Sequence, residues 1–354
     1  MDSLATSYQK TLEKKLDGAK ALAEWGPGRF VTTNASGLIV ENPCVFNGKK
    51  FCYRPLGRIG SKTIRLDGLP FSSSLEKYIA DLPENSNLSI EKASDRELLE
   101  KLTIVTYASE NHFDEVKMML ITWRRSQPTV RIVFFSMGLQ DTQMKELQTL
   151  CNVTVRRLDF DKYPPHVKNF RNYAFKIAVM RESYLEFPFF FIMDTSLRPT
   201  VPADFLSFLR ASAKKEIHPF AMTHPTNRSN SELTHFGMYA YLDIVKTLNN
   251  RRQFEAGSVL IRQDPYSAEI LKWAILCAFT KECIDPLERR CNVTRGISSC
   301  HQYDQSMLNI LTYNALQEFP QWESKVSHWP HDKANKVRRD ELWIGDLPKE
   351  ILCI

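Results

Sequence analysis

Several patterns that mark common protein classes are absent from this 354-residue sequence. It has no apolar run of about 18 residues, the length that a membrane-spanning helix needs, so we expect no transmembrane segment. Its first residues, MDSLATSYQKTLEKKLDG, are polar and charged and resemble neither a signal peptide nor an anchor. The net charge of +6 is modest, and the basic residues are scattered apart from Lys333–Arg339. Nucleic-acid binding is therefore not indicated, whereas a basic cleft for a phosphate-bearing small ligand fits the same charge.

Glycine-based ligand loops are also missing. The apolar stretch Thr103–Ala108 is followed by SENHFDE, which contains no glycine. Dinucleotide and S-adenosylmethionine sites need glycines at this point so that the backbone can approach the ligand, and they are therefore excluded. The sequence contains no G-x-x-x-x-G-K-S/T and no G-x-S-x-G, which excludes a P-loop and a serine nucleophile elbow.

Cysteine pairs of the CxxC type are absent, so neither a zinc knuckle nor a thioredoxin-like motif is indicated. The chain nevertheless has eight cysteines: Cys44, Cys52, Cys151, Cys277, Cys283, Cys291, Cys300 and Cys353. Cys44 and Cys52 are close enough to staple a hairpin, and the pairing of the four from Cys277 to Cys300 is left open. Five N-x-S/T sequons also occur, at Asn34, Asn87, Asn152, Asn227 and Asn292. Together they favour an oxidising, lumenal compartment (the secretory pathway or Golgi), with a cytoplasmic enzyme carrying reduced thiols as the alternative.

Composition divides the chain into three parts. Residues 1–95 are predicted to hold an N-terminal helix over 1–25, a small β-hairpin extension over 30–69 with Cys44 and Cys52, and a polar linker over 81–95. Residues 96–332 form the main domain, and residues 333–354 a charged tail. The main domain is expected to carry the function.

Strands and helices alternate along the main domain. Strands are predicted at Thr103–Ala108, Val130–Phe135, Val153–Leu158, Phe189–Met193, His218–Met222 and Phe254–Arg262. Helices are predicted at His112–Arg125, Thr142–Leu150, Arg171–Leu185, Pro202–Arg210, Ser267–Phe279 and Asp304–Tyr313. This alternation indicates an α/β fold with a mostly parallel, doubly wound sheet and flanking helices.

One stretch in this domain points to a ligand site. Pro188 follows an amphipathic helix, and the five apolar residues Phe189–Met193 then suit a strand buried on both faces. The strand stops at Asp194, followed by Thr195 and Ser196. Open α/β sheets place their ligands at the carboxyl ends of the strands, so this acidic residue is a candidate for binding. The alternative is a strand-ending turn whose side chains bond to the backbone.

Four segments in order resemble those of nucleotide-sugar glycosyltransferases. They are TIVTYAS, YAFKIAVMRESYLEFPFFFIMDTS, FEAGSVLIR and CHQYDQSMLNIL, which together span about residues 100 to 330. The chain is identified as similar to the nucleotide-diphospho-sugar transferase superfamily of the GT-A type, and to a mostly uncharacterised group of it expanded in invertebrates. The resemblance implies a GT-A-like sheet, which by itself does not fix an activity.

The resemblance also implies a metal site. In this superfamily an Asp-x-Asp at the end of the central strand holds a divalent cation, Mn²⁺ or Mg²⁺, that bridges the two phosphates of the donor. Asp194 occupies the first position, but the third is Ser196, which makes a weaker site and puts metal dependence in question. A late histidine completes the metal site in some relatives, and His328 matches it loosely; its alternative is a surface residue.

Further residues are assigned through the same resemblance. The donor-binding set is Thr106, Lys176, Asp194, Ser196, Gly257 and Gln305. Asp304 and Glu255 are the candidate catalytic residues, because a carboxylate within reach can deprotonate an acceptor hydroxyl. Each has a structural alternative: Lys176 as a surface residue, Glu255 as a solvated strand end, and Asp304 as the cap or first turn of a helix.

The sequence therefore predicts a glycosyltransferase, hexosyltransferase-like, that moves a sugar from a nucleoside diphosphate to a hydroxyl of a glycan or protein. Its partners would be a nucleotide sugar and that acceptor, without nucleic acid. The alternative is a catalytically inactive GT-A-like domain that binds or scaffolds, which the missing second carboxylate favours.

Overall fold

The computed structural model describes residues 44–54, 67–199, 202–244, 248–286, 301–316 and 331–333. The chain divides into two compact units, Met1–Cys52 and Tyr53–Ile354. The predicted helix over residues 1–25 and His328 lie outside the described residues, as does the tail beyond residue 333. The predicted boundary between residues 95 and 96 stays a prediction.

The described part of the smaller unit is a two-stranded antiparallel hairpin. It consists of β1 (Val45–Phe46) and β2 (Lys49–Lys50). Asn47 and Gly48 join the strands with φ angles of 48° and 74°, and a two-residue hairpin turn requires such positive values. A disulfide between Cys44 and Cys52 closes the hairpin, so the predicted staple is confirmed.

The described residues of the larger unit contain ten further strands. They are β3 (Thr103–Ala108), β4 (Arg131–Ser136), β5 (Val153–Arg157), β6 (Phe189–Met193), β7 (Leu197–Pro199), β8 (Phe220–Met222), β9 (Pro225–Ser229), β10 (Arg252–Phe254), β11 (Ser258–Arg262) and β12 (His331–Lys333). Six form the central sheet in the order β5-β4-β3-β6-β11-β8. The first four are mutually parallel, and β11 runs antiparallel to both of its neighbours. The predicted α/β class with a mostly parallel sheet is confirmed.

Ten α-helices flank or follow these strands in the described part of the chain. They are α1 (Asp95–Lys101), α2 (Phe113–Ser126), α3 (Asp141–Gln148), α4 (Ala174–Glu186), α5 (Pro202–Ala213), α6 (Asn230–Leu233), α7 (Phe236–Tyr239), α8 (Pro265–Ala278), α9 (Lys281–Ile284) and α10 (Tyr303–Leu316). None of them combines the length and the apolar character that crossing a membrane requires.

The central strand β6 lies where the sequence places it. Pro188 cannot continue α4 and disfavours helical backbone at Phe187, so the helix ends at Glu186. All five residues of β6 are at most 2% exposed, because the strand has neighbours on both sides and packed layers above and below. Each fully buried side chain of this size contributes about 1.5–3 kcal/mol. This strand therefore anchors the residue that follows it.

Two differences between the predicted and the observed elements concern the candidate site. The helix predicted from Arg171 begins at Ala174, because Tyr173 has left-handed backbone (φ 57°, ψ 11°) that cannot belong to a right-handed helix. The strand predicted over Phe254–Arg262 is two strands: β10 pairs with β9, whereas β11 pairs with β6 and β8. The residues Glu255–Gly257 therefore form the connection between two different sheets.

Part of the segment predicted as extension and linker is tied to α4. The guanidinium of Arg181 donates to the carbonyl of Tyr78 at 2.7 Å and to the carboxylate of Asp81 at 2.8 Å. Arg181 is only 8% exposed, so its removal would leave buried polar groups without partners. The residues around Tyr78 are thus part of the larger unit's packing.

Candidate functional site

The candidate site lies at the carboxyl ends of β3 and β6. These strands are neighbours, and the chain order reverses between them, since β4 and β5 continue on one side and β6 lies on the other. Such a switch point is where open α/β sheets bind ligands. Tyr107 in β3 and Asp194, directly after β6, meet there through a hydrogen bond from the phenol to the carboxylate.

Asp194 is a partly exposed carboxylate in a fixed position. Its side chain is 30% exposed, and its two oxygens lie 3.0 and 3.2 Å from the Lys176 Nζ. Its backbone N–H donates to the Gly257 carbonyl at 2.8 Å. A Cβ atom at Gly257 would lie 3.3 Å from the Asp194 Oδ2, so glycine permits a close approach of the two strand ends. The carboxylate therefore has Tyr107 and Lys176 as fixed partners and remains partly exposed.

Lys176 lies between two carboxylates. Its Nζ is 3.4 Å from the Asp304 Oδ2 as well as 3.0 Å from Asp194, and its side chain is 6% exposed. The alternative of a surface lysine is therefore wrong. Burial lowers the pKa of Lys176, but the two carboxylates outweigh burial and hold it well above its usual value. The ammonium group is accordingly permanently charged.

Asp304 is the most buried acid of the cluster, at 4% exposure. It occupies the first turn of α10, so the helix-start alternative and a place in the cluster are both true of it. Burial raises the pKa of Asp304 to about 6; Lys176 opposes this shift and Asp194 adds to it. A carboxyl group with such a pKa can accept a proton near neutral pH.

Replacing Asp304 with asparagine is expected to remove a pH dependence of stability. Because the folded-state pKa of about 6 exceeds the ordinary value, the folded protein holds this proton more tightly than the unfolded chain. The resulting stabilisation is complete below about pH 4 and is lost as pH rises through about 6, a change on the order of 3 kcal/mol. The measurement is urea unfolding of Asp304→Asn and wild type at both ends of that range. The free energy of unfolding of Asp304→Asn minus that of wild type should rise with pH. If this difference is the same at both pH values, the raised pKa of Asp304 is contradicted.

The other predicted donor residues are distributed around this cluster. Thr106 is fully buried, and its hydroxyl donates to the Met193 carbonyl at 2.9 Å. This bond supports the pairing of β3 with β6, and the role of Thr106 in donor binding stays a prediction. Ser196 is partly buried in the turn after Asp194, and the Gln305 amide donates to Gln253 at 2.8 Å. Of these three residues, only Ser196 lies next to Asp194 in the sequence, two residues after it.

Glu255 lies on the connection between β10 and β11. It is partly exposed, and its backbone N–H donates to the His224 carbonyl at 2.7 Å. It stands two residues before Gly257, which contacts Asp194. A catalytic role for Glu255 stays a prediction, as does the role of His328.

The segment that leads into Asp304 is held by buried contacts. The His301 Nε2 donates to the Ile284 carbonyl at 2.9 Å, and its Nδ1 accepts the N–H of His235 at 3.3 Å. Burial lowers the pKa of His301 to about 4, so the imidazole is neutral at physiological pH. Ile284 follows directly after Cys283, which is bonded to Cys277. This disulfide belongs to the cysteine group whose pairing the sequence left open.

Sequence reasoning missed the tyrosines of the site. It assigned Thr106, but the next residue, Tyr107, is the one whose side chain reaches Asp194, because neighbouring residues of a strand point to opposite faces. The sequence analysis does not assign Tyr173 and Tyr303 either. Tyr173 directly precedes α4 and Tyr303 is the first residue of α10, and each of these helices carries a charged residue of the cluster. Aromatic residues at both helix starts were the available signal.

The donor set fits a divalent cation poorly. Across the part of the chain that the structure describes, no group of three or more His, Cys, Asp or Glu side chains is arranged to hold a metal. Both oxygens of Asp194 already lie within 3.2 Å of an ammonium group. A cation bound to either oxygen would be repelled by Lys176 at short range. The described residues of the site therefore offer a divalent cation no favourable position.

The chain is similar to one family model and, at low sequence identity, to solved structures. A family model described as "Protein of unknown function (DUF1647)" matches residues 46–181, and comparison with curated proteins finds no match. Among solved structures, the galactosyltransferase LgtC in complex with donor and acceptor sugar analogs matches at 12% identity and a TM-score of 0.37, over 59% of this chain and 70% of LgtC. GlyE, a glycosyltransferase of Streptococcus pneumoniae TIGR4, matches at 13% identity and a TM-score of 0.34, over 60% of this chain and 43% of GlyE. The function proposed below rests on the geometry of the site.

Proposed function

We propose that this protein transfers a sugar from a nucleoside-diphosphate donor to a hydroxyl group of a glycan or protein. The observation that carries the proposal is the cluster of Tyr107, Lys176, Asp194 and Asp304 at the switch point of the sheet. A buried ammonium group that holds two acids in place is costly to assemble, since each charge must be removed from water. Perturbed acids at such a position are a common feature of active sites.

The partly exposed carboxylate of Asp194 would accept hydrogen bonds from sugar hydroxyls. Gly257 supports this role, because its missing side chain leaves room beside the Asp194 Oδ2. Transfer breaks the bond between the sugar and the diphosphate and forms a bond to the acceptor oxygen, whose proton must leave. Asp304, or Glu255 on the neighbouring connection, would accept that proton.

The charge of the cluster determines how a diphosphate would approach it. Two carboxylates and one ammonium group leave a net charge of −1 when Asp304 is ionised. Helices α4 and α10 both begin at the cluster, and the N-terminus of each contributes about half a positive charge there. A diphosphate would therefore approach a nearly neutral surface, and no step in this proposal depends on a bound cation.

The experiment is a screen of nucleotide sugars against the wild-type protein. Release of nucleoside diphosphate reports turnover, and the shift in melting temperature with each nucleotide diphosphate reports binding by mass action. Both are measured with Mn²⁺ and with EDTA. Turnover of one donor supports the proposal. Stabilisation by a nucleotide diphosphate without turnover indicates the inactive binding protein instead. If neither turnover nor stabilisation is observed, both hypotheses are refuted.

We further propose that the protein works in the lumen of the secretory pathway, such as the Golgi. Disulfides Cys44–Cys52 and Cys277–Cys283 fit an oxidising compartment. The sequon asparagines in the described residues, Asn87, Asn152 and Asn227, are all exposed, as glycosylation requires. Expression through the secretory pathway should yield a protein that becomes smaller after treatment with an N-glycosidase. A mass unchanged by the enzyme would oppose this location.

A further inference from the structure

Two exposed aromatic side chains lie on the segment that leads into α4, and one of them contacts the cluster. Phe170 is 37% exposed and Tyr173 is 38% exposed, whereas most large apolar side chains of the described residues are buried. The ring of Tyr173 lies 5.0 Å from the Lys176 Nζ. Large aromatic surfaces left in water next to fixed polar groups mark binding sites rather than packing. We call Phe170 and Tyr173 the aromatic rim.

The backbone of Tyr173 is held in a conformation that tyrosine disfavours. Its φ of 57° lies in the left-handed region. The buried side chain of Asn172 keeps this turn, since its Oδ1 accepts the Ala174 N–H at 3.0 Å and its amide donates to the His166 carbonyl at 3.0 Å. Strain of this kind persists only where the surroundings enforce it, and it is concentrated at functional sites. The turn holds the ring outward beside the cluster.

A second tyrosine, Tyr303, packs against Tyr173 of the aromatic rim. Tyr303 is buried, its φ is 45°, and its ring centroid lies 6.0 Å from that of Tyr173. On the other side, the ring of Phe175 lies 5.4 Å from Phe170 and 6.2 Å from Tyr173. Contacts at these separations fix the rings relative to one another. The rim is therefore a preorganised surface.

We propose that the aromatic rim stacks on the apolar face of a pyranose ring of the acceptor glycan. A pyranose presents C–H groups on its face and hydroxyl groups on its edge. Phe170 and Tyr173 offer the apolar surface, and the exposed carboxylate of Asp194 offers an acceptor for the hydroxyls. The acceptor assignment rests on the proposed function, whereas the binding of a sugar ring does not require turnover.

The test compares variants of Tyr173 in the full chain. Tyr173→Gly removes the ring and relieves the left-handed backbone, so the variant is expected to fold. Tyr173→Phe keeps the ring, and Tyr266→Ala is the matched control, because Tyr266 is 37% exposed at the start of α8. The probes are methyl glycosides of glucose, galactose, mannose and N-acetylglucosamine, with binding followed by saturation-transfer NMR. Uridine diphosphate and guanosine diphosphate are titrated in parallel.

The expected result is that Tyr173→Gly weakens the binding of at least one glycoside by about five- to tenfold, whereas Tyr173→Phe and Tyr266→Ala change it by less than about twofold. Equal glycoside affinity in Tyr173→Gly and wild type overturns the proposal. Weaker nucleotide binding with unchanged glycoside binding also overturns it and assigns the rim to the base. Failure of the proposed function alone would appear as no donor turnover together with ring-dependent sugar binding.

Discussion

Replacing Lys176 with methionine is expected to lower the free energy of unfolding by about 3–5 kcal/mol near pH 7. Methionine fills a similar volume but carries no charge, so the carboxylates of Asp194 and Asp304 would face each other without a cation. Asp304 is almost fully buried and cannot turn to water. Urea unfolding followed by circular dichroism measures the change.

Two features separate this effect from a simple loss of packing. The loss should shrink near pH 4, where the buried carboxyl group is neutral, and it should be partly restored by adding Asp304→Asn, because the two positions are coupled. Lys162→Met is the matched control: Lys162 is 67% exposed with its Nζ 3.7 Å from Asp159, so the change should stay within about 0.5 kcal/mol. A loss below about 1 kcal/mol for Lys176→Met would mean that the lysine is not the counterion of this cluster.

Asp194→Asn is expected to reduce the donor turnover of the wild-type protein by about a hundredfold to a thousandfold, a typical cost for losing one charged group that acts in a transition state. Asparagine keeps the shape of the side chain, and the backbone bond to Gly257 is unaffected by the exchange. Lys176 retains Asp304 as a partner, so the variant should remain folded. The measurement is the release of nucleoside diphosphate at saturating donor.

The control for this variant is Asp114→Asn, at an acid in the first turn of α2 that is 55% exposed and paired with Lys117 at 3.1 Å. It should turn over the donor at the wild-type rate. Full activity in Asp194→Asn would remove the carboxylate from the mechanism and would leave Asp304 or Glu255 as the acid to examine. A variant that still binds nucleotide diphosphate but no longer releases it from the sugar supports the role in transfer.

Local patterns were sufficient to predict much of the fold. The run Phe189–Met193 and the proline before it define the central strand, because both act through the backbone of neighbouring residues. The carboxylate after the strand could be found in the same way, since the end of a parallel strand is a local feature. The family resemblance places both Lys176 and Asp304 at the ligand site. In the structure the two side chains meet because their helices start near the end of this strand.

The remaining features have no signal in the local sequence pattern. The antiparallel direction of β11 follows from its pairing with both β6 and β8, which no local period encodes. Tyr107 is not predicted from the sequence, because a strand buried along its whole length has no polar–apolar alternation that distinguishes its two faces. The late start of α4 arises from a left-handed residue held by Asn172, and tyrosine is an unusual occupant of that conformation.

Because β11 runs antiparallel to β6, the end of β6 and the start of β11 lie at the same edge of the sheet. The chain leaves β6 at Asp194 and enters β11 at Gly257, so both meet one edge while belonging to segments of opposite polarity. Asp194 is fastened to Gly257 through a main-chain carbonyl, a bond that does not depend on which side chains precede the glycine. A change of the partly exposed side chain at Glu255 therefore alters this side of the site while the anchoring of Asp194 stays intact.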